Sequence, residues 1–338
     1  MVGAIGRPGS GARRSVGGPE HGWPRLRVVS SRPRVLVTGG NGQLGRDVRD
    51  VLAGVIPDGG VLPAGRGAGD IDILSTDIDT LDVVNRTAVG EAFESFRPNV
   101  VIHGGAFTAV DACESEPDTA FAVNAMGTRH VAEASRRVGA HILYVSTDYV
   151  FDGTLDRPYV EWDATNPQSV YGRSKLGGEY EVAAVSGGDA TVVRTAWVSG
   201  AHGANMVKTV LRLAMGPGDG PLRFVDDQRG TPTFTADLAS AIVGLALDRR
   251  PGTFHVTNQG ETSWFGFARA TLAAAGLDPE RVEPIATGDL DPPRPAPRPA
   301  NSRLDNAALR LSGLALLPEW TESLNRLVEV LPAVAERG

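Results

Sequence analysis

The run "RVLVTGGNGQLGRDVRDVLAG", from Arg34 to Gly54, constrains this chain's fold more than any other stretch. Its β-branched opening reads as a buried strand, and "QLGRDVRDVLAG" has helical spacing with Gly54 as its C-cap. Between them Gly39, Gly42 and Gly45 stand as G-x-x-G-x-x-G. Such glycines let the chain turn tightly, bring backbone close to a pyrophosphate and let the helix pack onto the strand. The amide groups of the helix N-terminus then face the phosphates. Strand, loop and helix fall in the order a dinucleotide site requires, so Gly39, Gly42, Gln43, Leu44 and Gly45 are cofactor-binding candidates. A purely structural tight turn is the alternative.

The alternation continues. "DIDILSTDIDTLDVV" and "GGVLPAGR" supply short apolar runs and loops, "RTAVGEAFESFRP" a helix closed by Pro98, and "NVVIHGGA" a strand. "PDTAFAVNAMGTRHVAEASRRVG" predicts one long helix to Gly139, "AHILYVSTDYVF" a strand, and "ATVVRTAWV" another after the helix that begins at Tyr171. Strands alternating with helices at this spacing predict an α/β fold, a Rossmann-like doubly wound parallel sheet. Beyond Gly200 the regularity weakens, which predicts a smaller α/β C-terminal substrate lobe. The expected division is 34–200 for dinucleotide binding, with later segments free to return to it, and 201–330 for the substrate. The proline-rich "DPPRPAPRPANSRLD" is too constrained for helix or sheet and is expected to be a loop. The first 34 residues carry seven arginines against one acid and no apolar h-region. Residues 1–33 are therefore expected to be a disordered arm, or the product of a start codon placed too early.

Composition excludes several function classes. A net charge of −7 argues against nucleic acid as a partner. No apolar run reaches the roughly 18 residues of a membrane span. The single cysteine, Cys113, suits a reducing compartment, and a cytoplasmic location is expected. The six histidines show no metal-ligand spacing, and no nucleophile elbow surrounds Ser146.

Of 33 basic residues only two are lysines, and one of them, Lys175, follows Tyr171 by four. On a helix that spacing puts both on one face. A tyrosine works as a general acid or base near neutrality when its pKa, ordinarily about 10, is lowered, and a nearby ammonium does that. Lysine also offers three rotatable donors to ribose hydroxyls, which the planar guanidinium does not match. "VSTDYVF" places Ser146, Thr147 and Asp148 at the C-terminal end of a predicted central strand, where open α/β sheets bind ligands. Arg66 lies where a cation meets a 2′-phosphate, which favours NADPH, with NADH as the other candidate; a solvated loop arginine is the competing reading. Asp82 and Val83 are candidates for the adenine end of the cofactor, although Asp82 also fits an ordinary loop carboxylate.

These residues resemble the extended short-chain dehydrogenase/reductase family. The likeness rests on "GGNGQLG", "RPNVVIHGGAFTAVDACESEP", "VNAMGT", "STDYVFDG", "NPQSVYGRSKLGGE", "VRTAWV", "NMVKTVLRLA", "VDDQRGTPT" and "RPANSRLD", spread over about residues 34–330. The resemblance implies Thr147, Tyr171 and Lys175 as catalytic triad, and Gly105, Ala106 and Phe107 beside the cofactor. Thr108 and Val110 would line the cofactor–substrate region, and Asn124 would hold the site together. Asp148, Trp197, Arg298 and Asn301 would contact a nucleotide-sugar, though Trp197 also fits a core residue. The chain departs from the family at His103-Gly104-Gly105, where Asn-Ala-Ala is common, and at Phe107, where Tyr is common. Some members hold Mg²⁺ at a subunit contact through a glutamate at the position of Asp47, so the resemblance leaves Mg²⁺ and a homodimer open. The implied reaction is hydride transfer from NADPH to C4 of a dTDP-linked 4-keto-6-deoxysugar, giving dTDP-L-rhamnose, a cell-envelope precursor. Dehydratases of the family follow the threonine with Asp-Glu; here Tyr149 follows Asp148. Another keto-sugar reductase, an epimerase, or a non-catalytic subunit like that of methionine adenosyltransferase are the alternatives.

Overall fold

The structure is a computed structural model, described for residues 32–55, 70–218 and 220–331. The expectations for the arm up to residue 31 and for Arg66 lie outside the described residues. Strand β1 (Arg34–Thr38) sends Val35 and Val37 to one face and Leu36 to the other, as a period of two demands. Its neighbours β2 (Asp72–Thr76) and β3 (Val100–His103) both pair with it in parallel. Beyond β3 come β4 (His141–Thr147) and β5 (Ala190–Thr195), and Gly252–His255 completes a six-stranded sheet. From edge to edge the order is Gly252–His255, β5, β4, β3, β1, β2. The order reverses between β1 and β3, and ligands of open α/β sheets bind outside the strand ends at such a point.

Helices cover both faces. α1 (Gln43–Leu52) and the helix Thr235–Leu247 lie against Val35 and Val37, burying Val48, Leu238 and Ile242. α2 (Arg86–Phe96), the short α3 (Val110–Ser115) and α4 (Pro117–Phe121), α5 (Thr128–Val138) and α6 (Val170–Ser186) follow in order; α2, α5 and α6 contribute to the core on the Leu36 face. Fully buried side chains such as Leu36, Ile102 and Leu143 each stabilise the sheet by about 1.5–3 kcal/mol. The helix ends follow local chemistry. Asn85 accepts from the Ala88 amide to start α2, and Arg97 in the left-handed region ends it before Pro98. Ser169 accepts from the Gly172 amide at 3.0 Å to start α6.

Three segments differ from the sequence expectation, the first being the proline-rich run, expected to be all loop, in which Asn301–Ser302 pairs as a short parallel strand with Arg229–Gly230. The long helix predicted over 117–139 carries a π-helical stretch at Ala122–Gly127, between α4 and α5. The wider turn lets buried Asn124 reach away from the helix, to the Phe107 backbone and the Ser174 hydroxyl. The strand predicted to run to Phe151 stops at Thr147, where a 3₁₀ turn, Asp148–Val150, begins with the Tyr149 amide bonded to the Thr147 hydroxyl. Farther along, helices Met206–Met215, Trp264–Ala274 and Trp320–Val330 share a separate core around Val207, Leu211, Phe267 and Leu324. Among the described residues, no helix is long and apolar enough to cross a membrane.

Candidate active site

A cleft of about 850 Å³ runs over the C-terminal ends of β1, β3, β4 and β5, a size that suits a ligand of several rings. At one end lie Gly39, Gly42, Gln43, Leu44 and Gly45. Gly39 has φ +69°, and a Cβ there would stand 2.8 Å from the Gly105 amide. Loop and β3 extension thus pack backbone to backbone, which accounts for the glycine at 39; a Cβ at Gly104 would stand an ordinary 3.4 Å from the Thr38 carbonyl oxygen, and one at Gly105 3.2 Å from Thr38 Oγ1. The preceding His103, another departure, does not line the cleft. Its ring is fully buried between the Thr38 and Thr128 hydroxyls, at 2.6 and 3.0 Å. Burial, helped by the Lys175 charge, pushes its pKa down to about 3, so it acts as a neutral strut.

At the other end Thr147, Asp148, Tyr149, Tyr171 and Lys175 line the same cleft. β4 delivers Thr147, and one face of α6 delivers Tyr171 and Lys175. The Thr147 hydroxyl donates to Asp148 Oδ1 at 2.8 Å, and Thr147 and Tyr171 line the cleft together. Lys175 donates to the Val145 carbonyl at 2.7 Å, and its ammonium sits 4.1 Å from the centre of the Tyr144 ring.

The electrostatics differ from the expectation that Lys175 lowers the Tyr171 pKa. Burial raises it, and the Asp148 charge adds to the rise. Burial also brings Lys175 down to about 7, against a smaller upward pull from Glu179. Both shifts have one origin: a dry site disfavours whichever form carries charge, phenolate or ammonium. Tyr171 is therefore held as the neutral phenol, the species that can give a proton.

Asp148 is buried, and burial pushes its pKa up to about 6. Since its folded-state value lies above the ordinary 3.8, its contribution to stability is fully present below that pH and is lost as pH rises through about 6. Asp148→Asn is expected to raise the melting temperature at pH 8 and leave it nearly unchanged at pH 3.5. Thermal melts at the two pH values check this, and equal shifts at both would contradict it.

Asp82, Val83, Gly105, Ala106, Thr108, Val110 and Trp197 also line the cleft. Phe107, Arg298 and Asn301 do not. Both backbone polar groups of Phe107 bond to the Asn124 side chain. Arg298 binds Asp111 through two nitrogens, at 2.5 and 2.9 Å, tying the proline-rich loop to α3. Asn301 donates to the carbonyls of Leu155 and Arg157. Sequence reasoning missed Asp77, which directly follows β2, lines the cleft and accepts from the Asn41 amide of the glycine loop at 2.8 Å. It also missed Tyr149, whose ring edge meets Tyr171 with centroids 5.5 Å apart, and Trp264, stacked on Trp197. Asp47, Asp50 and His202, spread across 156 positions of the chain, place ligand atoms within 4.8 Å of one another, a grouping that spacing along the sequence cannot show.

Fold and cleft together define an extended short-chain dehydrogenase/reductase. The sequence model for the RmlD substrate binding domain matches residues 33–332, and the chain belongs to that family. A dTDP-4-dehydrorhamnose reductase of Streptomyces griseus is 42% identical over 312 residues, covering 91% of this chain and 96% of that protein. A solved dTDP-4-dehydrorhamnose reductase from Clostridium acetobutylicum superposes with a TM-score of 0.79 at 40% identity, over 88% of this chain and 99% of that one. The Bacillus anthracis dTDP-4-dehydrorhamnose reductase, solved in complex with NADP, gives the same TM-score and coverages at 36% identity.

Proposed function

We propose that this chain reduces dTDP-4-dehydro-L-rhamnose to dTDP-L-rhamnose with NADPH, in dTDP-rhamnose biosynthesis. The observation that carries the reading is one cleft holding a glycine-rich helix N-terminus at one end and Thr147, Tyr171 and Lys175 at the other. The dinucleotide fits the glycine end, where the Gly39 turn leaves no room for a side chain and exposes the α1 N-terminus. When bound, its nicotinamide supplies a hydride for C4 of the sugar. Thr147 polarises the C4 carbonyl by donating to its oxygen, exchanging its present bond to Asp148. The Tyr171 phenol protonates that oxygen as it gains charge. The Lys175 ammonium donates to the ribose hydroxyls and favours the phenolate left behind.

The direct test is absorbance-monitored NADPH oxidation with dTDP-4-dehydro-L-rhamnose, with other dTDP-4-keto-6-deoxysugars in parallel. Oxidation matched by formation of dTDP-L-rhamnose is expected. Sugar interconversion without net oxidation would mark an epimerase, and NADPH binding with no turnover of any keto-sugar would mark a non-catalytic subunit. Either outcome removes the proposal.

NADPH is favoured by the NADP-bound relative from B. anthracis, but the carboxylate of Asp77 stands at the end of β2, where an acid repels a 2′-phosphate and welcomes a 2′-hydroxyl. NADH is therefore expected to serve as well. Asp77→Asn should raise the ratio of kcat/KM for NADPH over NADH by roughly ten-fold, the effect of about 1.4 kcal/mol. Measuring both cofactors with one variant cancels any loss of loop order, and an unchanged ratio would clear Asp77 of this role.

A further inference from the structure

Trp197 is one of three non-glycine residues with positive φ among the described residues, at +47°. Its backbone is pinned there because the next residue, Val198, pairs with Thr233, whose amide bonds to the Trp197 carbonyl at 3.3 Å. The side chain is fixed by different neighbours. The Trp264 indole lies flat on it, ring centroids 3.5 Å apart and planes within 6°, and Phe267 meets both rings edge-on. Close by stands Gly230, where an added Cβ would fall 2.2 Å from the Trp197 ring. Trp264 is itself held: it opens its helix directly after Ser263, which caps the Gly266 amide and donates to Asp226 at 2.5 Å. Both indoles line the cleft that holds Thr147 and Tyr171.

We propose that Trp264 is a positioning residue: by stacking on Trp197 it fixes that indole as the flat apolar wall against which a ring of the nucleotide-sugar is held beside Tyr171. The inference rests on the reaction proposed above. Trp264 is separated from Trp197 by 67 positions and belongs to the helix Trp264–Ala274, so the part of the chain beyond residue 200 sets a wall of the site. Aromatic stacking gains come from fixed geometry, and a loose indole loses them.

The test is steady-state kinetics with dTDP-4-dehydro-L-rhamnose, alongside titration of NADPH binding. Trp264→Leu is expected to raise KM for the sugar roughly three- to ten-fold while kcat and NADPH affinity stay within about two-fold, and Trp264→Phe to recover most of the loss. Gly230→Ala should reproduce the KM defect with Trp264 intact, because the new methyl displaces the Trp197 ring. Unchanged KM in Trp264→Leu, or a fall in kcat and NADPH affinity together with it, overturns the proposal. Should Trp264→Leu not fold, Trp264→Met, which keeps apolar bulk without a stacking ring, decides by the same KM criterion. A wild-type protein that leaves NADPH unoxidised overturns the reaction itself, whereas wild-type turnover with unaltered variants overturns the role of Trp264 alone.

Discussion

Tyr171→Phe is expected to lower kcat by roughly 10²–10⁴-fold, about 3–5 kcal/mol of barrier, with NADPH affinity retained. The substitution removes one hydroxyl and leaves the ring in place. That ring packs against the cluster of Cys113, Ala120 and Val170, and its edge contact with Tyr149 does not use the oxygen. Melting temperature should therefore stay close to wild type, separating chemistry from folding. The phenol is neutral at working pH because burial and the Asp148 charge both oppose its ionisation, so its loss removes a proton donor and no charge. Single-turnover NADPH oxidation and a cofactor titration make the measurement. Turnover near the wild-type rate would end the role of Tyr171 as acid, and loss of NADPH binding would show it to be a cofactor ligand first.

Local spacing made much of this site legible. The glycine loop and the Tyr171–Lys175 pair are each set within one turn or one helix face, so residue type and interval suffice to place them. Asp77 stayed hidden because its meaning depends on where β2 ends, and "DILSTDID" offers several stopping points. Trp264 had no local signal, since its partner comes from the other end of a long crossover. The ion pair of Arg298 with Asp111 spans 187 positions and likewise has no local signal. The direction of the Tyr171 shift also escaped, because spacing reports a neighbouring charge and not the burial that outweighs it. The π-helical stretch at Ala122–Gly127 carries no pattern that separates it from ordinary helix, although the reach of Asn124 depends on it.

Arg194→Met is expected to produce the largest loss of stability, about 3–5 kcal/mol, or roughly 10 °C in melting temperature. Arg194, on β5, and Glu179, on α6, have side chains 7% and 8% exposed and form a two-pronged pair, with Nε to Oε1 at 2.9 Å and Nη2 to Oε2 at 2.7 Å. Ser146, beside Thr147, donates to the same carboxylate at 2.5 Å. Without the guanidinium, Glu179 would remain as a buried carboxylate with the serine as its remaining side-chain donor. The cost is chiefly that of the stranded charge, so Arg194→Met combined with Glu179→Leu should recover most of the lost stability. Activity should not follow. Glu179 lies one turn beyond Lys175 and is the group that pulls the Lys175 pKa upward against burial. The double variant should therefore melt near wild type yet keep Lys175 less protonated at neutral pH, with its activity confined to lower pH than wild type. Denaturation melts on the two single variants and the double, with a pH–rate profile on the double, distinguish the outcomes. A double variant as unstable as Arg194→Met would mean that the pair stabilises the fold by packing its own shape, and an unmoved pH profile would detach Glu179 from the proton balance of the site.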